Sequence, residues 1–172
     1  PRFDPMKRST ESLAIRPAVA ADAEPMGVLL NEIIRIGGTT AITSELSADE
    51  IREWFISGAA VVSCFVAIDA GGEILGFQSL SRYGDLPDGW VDIATFANRS
   101  RQKSGVGSAL FAHTRAAAAQ RGFTTINASI RVDNAGGLAY YSKMGFATYR
   151  VEDGDPRSQG RTFNRVHKLY DT

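Results

Sequence analysis

The sequence predicts a mixed α+β (α/β) domain, with a central, mostly antiparallel sheet of about seven strands and four helices. Three observations carry this. Runs with the two-residue alternation of strands interleave with runs of helical spacing along all 172 residues. The composition, 44% hydrophobic and 22% charged, is that of one compact domain, so residues 1–172 are read as a single domain with its core over about 13–170. Glycines and helix-capping residues stand where one kind of run gives way to the next, and neither a repeat nor a low-complexity linker interrupts the order.

The elements follow in order. "SLAIRPA" opens as a strand. "AADAEPMGVLLNEIIRIGG" is a helix with Met26, Leu29, Leu30, Ile33 and Ile34 on one face, stopping at Gly37 and Gly38. "SADEIREWFISG" places Ser47 three residues before Glu50, the capping box that starts a helix, and ends at Gly58. "AVVSCFVAID" and "EILGFQSLSRY" are strands joined by a turn at Ala70, Gly71 and Gly72, and "WVDIATFA" is a third. A helix follows Gly105, where alanines 116–119 favour helix and close packing. The strand "TTINASI", a helix from about Asn134 to Met144, and strands at "FATYRVE" and "RTFNRVHKLY" complete the chain.

The net charge of zero conceals two unlike halves. Residues 1–92 hold 7 Lys/Arg against 14 Asp/Glu, while residues 93–172 hold 12 against 5. Between Ile93 and Val132 there is no acidic residue, but there are Arg99, Arg101, Lys103, Arg115, Arg121 and Arg131. These bases surround one glycine turn and lack interleaved aromatics, which points to a compact polyphosphate and away from nucleic acid. No apolar run approaches the roughly 20 residues of a membrane span, and "PRFDPMKRSTESL" lacks a signal peptide's apolar centre, so no membrane partner and a cytoplasmic location are expected. The single cysteine, Cys64, is read as a buried structural thiol. With two histidines, no metal site is expected. His113 is read as packing or facing solvent, and His167 as an exposed strand residue.

The glycine turn carries the chemistry. In "RQKSGVGSALFAHTRAAAAQRGF" a strand-to-helix turn presents backbone N–H groups and the positive end of a helix dipole, a pattern suited to phosphate oxygens, with Gly105 and Gly107 allowing close approach. It is neither GxxxxGK[ST] nor GxGxxG, since Leu110 holds the third glycine position. "QKSGVG" is similar to the (Gln/Arg)-x-x-Gly-x-(Gly/Ala) signature of the GNAT superfamily of N-acetyltransferases. "NAGGLAYYSKMGF", from Asn134 to Phe146, resembles that superfamily's second block. The order of predicted elements matches the GNAT fold from about Leu13 to Tyr170. Within the superfamily the chain resembles phosphinothricin acetyltransferase-like proteins through "IRPAVAADAEPMGVLLNEIIR" and "WVDIATFANRSRQKSGVG".

The resemblance implies an acetyl-coenzyme A-dependent N-acetyltransferase with no metal. Gln102, Lys103, Ser104, Gly105, Val106, Gly107 and Ser108 would hold the pyrophosphate. Lys103 and Ser104 stand where relatives often carry Gly and Arg. Phe96 and Ala97 would pair with the pantetheine arm, Asn134 would bond it, and Lys143 lies in the same block. Tyr141 would protonate the departing thiolate, which a phenol can do at neutral pH. The herbicide-detoxifying relatives have His at that position. Asp92 would be the general base, directly or through water, because an amine that arrives as ammonium must lose a proton before attack. Neighbouring Tyr140 is read as core.

The expected acceptor is a small primary amine, an amino acid or an analogue of the phosphinothricin or methionine sulfoximine type. Its carboxylate calls for a cation, and Arg82 is chosen over Arg35 and Arg52. "GGTTAITSE" would line the acceptor site through Thr39, Thr40 and Thr43. A homodimer is expected. A peptide or protein N-acetyltransferase and a non-catalytic acyl-coenzyme A sensor are the alternatives.

Overall fold

The computed structural model describes residues 12–98, 105–154 and 163–172. In chain order the elements are β1 (Ala14–Pro17), α1 (Ala23–Ile36), α2 (Ala48–Ile51), β2 (Val61–Ile68), β3 (Ile74–Ser81), β4 (Trp90–Ala97), α3 (Val106–Gln120), β5 (Thr125–Arg131), α4 (Ala135–Met144), β6 (Ala147–Glu152) and β7 (Arg165–Asp171). The strands form one sheet in the order β1-β2-β3-β4-β5-β7-β6. Among the described residues only β4 beside β5 is parallel. The mixed α+β class, the strand count and the four helices are those expected.

Local chemistry sets the boundaries. Gly37, at φ +75°, ends α1 in a conformation that side chains resist. The Ser47 hydroxyl accepts from the Glu50 N–H at 3.1 Å while the Glu50 carboxylate accepts from the Ser47 N–H, closing the expected capping box. The helix expected up to Gly58 is not uniform. After one α-helical turn it widens into π-type turns over Arg52–Ile56, which bury Ile51 and Phe55 together and leave Trp54 outside. In the β2–β3 turn, Asp69 Oδ1 accepts from the N–H groups of Gly71 and Glu73, and Gly72 supplies the positive φ.

Alternation along the strands divides the core between two faces. Met26, Leu30 and Ile33 of α1, with Ile51 and Phe55, pack on Val66, Phe77, Ala94 and Phe96. On the other face, Phe111 and Ala118 of α3 and Tyr141 of α4 pack on Val91, Ile93, Ile126, Ala128 and Ile130. Cys64 is buried, and burial pushes its thiol up to about 12, which keeps it an inert thiol at neutral pH. Among the described residues no helix is long and apolar enough to cross a membrane.

Asp22 secures the entry to α1. Its carboxylate accepts two bonds from Arg16, at 2.7 and 2.9 Å, and one from the Val19 N–H at 2.8 Å, and the Arg16 bonds hold it below the usual carboxylate range. Asp22→Ala is expected to lower the unfolding free energy by about 1–3 kcal/mol, read as a lower urea midpoint. Because the folded carboxyl titrates lower than the unfolded one, this contribution is present above the unfolded value of about 3.9 and fades as pH falls toward the folded value.

Candidate functional site

The sheet opens where its one parallel pair ends. The ladder between β4 and β5 comprises three residue pairs, Trp90–Thr125, Val91–Ile126 and Asp92–Asn127, yet β4 continues to Ala97 and β5 to Arg131. Past Asp92 the two strands diverge, and a cleft of about 670 Å³ lies between them, walled by 93–97 of β4 and Asn98 after it, 129–131 of β5, the first turn of α3 and one side of α4. Phe96 and Ala97 line it as the sequence suggested. β4 is paired with β3 along its other edge, so its alternate backbone groups face the gap with no strand opposite. An extended ligand with spaced amide groups can take the place of that strand.

Two glycines at the mouth of this cleft have different reasons for being glycine. Gly105 sits at φ +107° with nothing near a would-be Cβ, so it is the backbone turn that requires it. Gly107 has ordinary dihedrals, but a Cβ there would lie 2.5 Å from the Tyr140 ring. Gly107 lines the cleft, and room for an aromatic ring is a further reason for glycine at this position. Val106, Gly107 and Ser108 form the first turn of α3, whose N–H groups have no partners within the helix and border the cleft. Gln102, Lys103 and Ser104 lie outside the described residues.

Two tyrosines end in one hydrogen-bond network under the cleft. Tyr140 packs against the core as expected and lines the cleft as well: its hydroxyl donates to the Gly107 carbonyl at 2.8 Å and accepts from Gln78 Nε2 at 3.1 Å. Burial pushes its phenol up to about 12. The same Gln78 Nε2 donates to Thr95 Oγ1 at 2.9 Å, and Thr95 Oγ1 lies 2.8 Å from the Tyr141 hydroxyl. With its oxygen already accepting from Gln78, Thr95 can give its own proton to Tyr141, which leaves the Tyr141 proton free to be donated elsewhere. Burial raises the Tyr141 phenol far above the ordinary value near 10, so it stays protonated at neutral pH.

The chain between α1 and α2 forms the facing wall. Asn134 caps α4 by accepting the Gly137 N–H at 2.9 Å, and its Nδ2 donates to the Thr39 carbonyl at 3.1 Å. Arg131 Nη1 donates to the Thr40 carbonyl at 3.0 Å, while its remaining groups pair with Asp133. Thr39, Thr40, Asn134 and Lys143 all line the cleft, and the buried hydroxyl of Thr39 has no partner.

Asp92 faces a second cleft of about 350 Å³ on the α1–α2 side of the sheet, walled by Pro87, Trp90 and Tyr149. Asn127 Nδ2 donates to Asp92 Oδ1 at 2.6 Å, and the Tyr149 hydroxyl donates to Asn127 Oδ1, which fixes the amide's orientation. Burial raises the Asp92 carboxyl, opposed by the Asn127 bond and by the charges of His167 and Arg82. Ser129 borders both clefts. Arg82 lines neither: its guanidinium donates to the carbonyls of Pro87, Trp90 and Leu86, bracing the loop before β4. Arg35 and Arg52 are likewise paired, with Glu45 and Asp49. The cation that does line the second cleft is Arg150 of β6, in the basic half of the chain.

His167, expected to be exposed, is 6% exposed. β7 is flanked by β5 and β6, and the ring is held by Ser129 Oγ and Glu152 Oε2, each at 2.8 Å. His113 is exposed and bonded to the Ala109 carbonyl. Asn127, Ser129, Arg150 and His167 were not among the expected site residues. Their signal was the polar alternation of Asn127 and Ser129 in an otherwise apolar strand.

A family model described as the acetyltransferase (GNAT) family matches residues 32–146. The fold is similar to that of a GCN5-related N-acetyltransferase from Kribbella flavida, with a TM-score of 0.78, 20% identity, and 93% of this chain and 98% of that chain covered. A phosphinothricin acetyltransferase from Sinorhizobium meliloti, solved in complex with AcCoA, gives a TM-score of 0.79 at 21% identity over 92% of this chain and 88% of that one. A ribosomal-protein-alanine N-acetyltransferase from Brucella melitensis gives 0.78 at 16% identity, covering 92% and 99%. At these identities the likeness is one of fold. No curated protein matches the chain.

Proposed function

Because the chain belongs to the acetyltransferase (GNAT) family, whose enzymes move an acetyl group from acetyl-coenzyme A to an acceptor, we propose that it acetylates the primary amine of a small molecule, an amino acid or a close analogue. The observation that carries the reading is the divergence of β4 from β5 above a buried, protonated tyrosine, with a carboxylate on the opposite face of the sheet. Acetyl-coenzyme A supplies the activated thioester. The free edge of β4 at Phe96 and Ala97 suits its amide-bearing arm, and the first turn of α3, from Val106 to Ser108, suits its phosphates. Gln102, Lys103 and Ser104 are assigned to the same phosphates by the family signature alone.

The division of labour follows from the residues. Tyr141 Oη holds the proton that a leaving sulfur needs. Asp92, its carboxyl raised by burial, takes the proton of the acceptor ammonium directly or through water. Arg150 is better placed than Arg82 to meet an acceptor carboxylate, since it opens on the cleft that holds Asp92, although its Nη2 also pairs with Glu152. The size of that cleft, about 350 Å³ with one wall closed by the edge-to-face contact of Trp90 and Tyr149, favours a small acceptor over a protein.

The test is a melting series followed by a thiol-release screen. Saturating acetyl-coenzyme A should raise the melting temperature, by about 2.7 kcal/mol of stabilisation at a hundred times Kd, and ATP and NAD should not. Equal shifts with ATP, or none with acetyl-coenzyme A, overturn the cofactor reading. Amino acids, phosphinothricin and methionine sulfoximine should release thiol faster than polyamines or peptides. Faster turnover of peptides establishes the protein-acetyltransferase reading, and binding without turnover of any amine establishes a sensor.

A further inference from the structure

One hydrogen-bonded cluster has no part in that scheme. Ser129 stands on β5 two residues beyond the last β4–β5 pair, on the same face as Asn127 and Asp92, and it borders both clefts. Behind it, His167 Nδ1 lies 2.8 Å from Ser129 Oγ, and His167 Nε2 lies 2.8 Å from Glu152 Oε2. The two contacts fix the tautomer. Glu152, held below the usual carboxylate range by its bond to His167, is an acceptor, so Nε2 carries the hydrogen and Nδ1 offers a lone pair to the Ser129 hydroxyl. The 3.3 Å approach of Arg150 Nη2 to His167 Nε2 has a simple cause, since both donate to the same Glu152 oxygen.

Resting on the acetyltransferase reading, we propose that Ser129, His167 and Glu152 form a second route, beside Asp92, by which the acceptor ammonium loses its proton. Ser129 Oγ accepts a proton from the ammonium as its own hydroxyl proton passes to His167 Nδ1. The amine is left neutral with its lone pair free, and the imidazole becomes imidazolium. The new positive charge faces Glu152 from β6, its bonded partner, and Asp92 from β4. Arg150 of β6 and Arg165 of β7 oppose it, and both also act on Glu152. Tyr149, whose ring lies 6.1 Å from that of His167, is the remaining titratable neighbour. Two of these groups are anionic and two cationic; Arg150 Nη2 comes within 3.3 Å of the ring, and the 2.8 Å bond to Glu152 is what holds the charged form. Two acceptors in one cleft suit a substrate amine whose ordinary pKa lies well above that of any carboxylate. Asp92 alone would hold that proton weakly.

The experiment uses the full chain with its best acceptor. Asp92→Asn should retain measurable activity. Adding Ser129→Ala should lower kcat a further about 10²-fold, the low end for a positioned acid–base group, with the KM for acetyl-coenzyme A unchanged. Ser129→Thr in the same background should keep the rate because it keeps a hydroxyl. In the same background His167→Gln should lower the remaining rate to about the level of Ser129→Ala, because it removes the ring nitrogen that takes the hydroxyl proton. Since His167→Gln alters a buried site, Ser129→Ala, at an exposed position, provides the control for folding. Independently of turnover, ¹⁵N spectra should show neutral His167 protonated at Nε2. A Ser129→Ala effect below about threefold in the Asp92→Asn background, or an Nδ1-protonated tautomer, overturns the relay while leaving the acetyltransferase reading intact. A wild-type protein that binds acetyl-coenzyme A but acetylates no amine overturns both.

Discussion

Tyr141→Phe is expected to lower kcat by roughly 10²–10⁴, the range for a positioned acid, while leaving acetyl-coenzyme A affinity almost unchanged. The substitution removes one hydroxyl from a side chain that is otherwise packed against Tyr140 and Phe146, so the shape of the cleft is kept. The hydroxyl's surroundings argue for proton donation. Gln78 gives a hydrogen to Thr95, Thr95 can give one to Tyr141, and the chain of donors ends on a phenol that burial keeps protonated. No alkaline fall in rate assignable to Tyr141 is expected below pH about 10, because its folded value lies above the ordinary one. Removing the hydroxyl should cost about 1 kcal/mol of stability, so a melting curve separates lost chemistry from lost structure. Thr95→Val, which removes the donor to Tyr141, should lower kcat less, by about tenfold, since the phenol itself remains. A loss below about threefold in Tyr141→Phe rejects the acid role.

Asp92→Asn is expected to act in opposite directions on rate and stability. The rate should fall by roughly 10- to 10²-fold, less than for Tyr141→Phe, because water and the Ser129–His167 pair remain as proton acceptors. Stability should rise. Burial raises the Asp92 carboxyl above its unfolded value of about 3.9, so the folded state favours the neutral form and is penalised for the ionised one at neutral pH. Asparagine carries no such charge. Melting curves at pH 7 should therefore place the variant above the wild type, and the gap should close as pH falls toward the unfolded carboxyl value. A variant less stable at pH 7, with an unchanged pH–rate profile, assigns Asp92 a packing role and removes it from the chemistry.

Where the sequence was legible, the reason is local. The box of Ser47 and Glu50, the glycine stop at Gly37, the Asp69–Gly72 turn and the alternation of each strand act between residues a few positions apart, and the pattern displays them directly. The same holds for Gly105, where the turn itself demands a positive φ. The strand of Asp92, the block from Asn134 to Phe146 and the order of elements were equally readable, and with them the family.

Residues remote in sequence meet only in the fold, and there the reading failed. His167 reads as an exposed strand residue because nothing within ten positions shows that β7 inserts between β5 and β6, setting Ser129 on one side of the ring and Glu152 on the other. Arg82 looked available because its partners are the carbonyls of a folded-back loop, and carbonyls leave no mark in a sequence. The second constraint on Gly107 was invisible because the Tyr140 ring against it is 33 residues away. Local propensity and periodicity set each element and its buried face, and so by itself the sequence determined which strands and helices form. The tertiary structure alone decided which donors remain free, because a hydrogen-bonding group is used up by whichever partner long-range packing brings within about 3 Å of it.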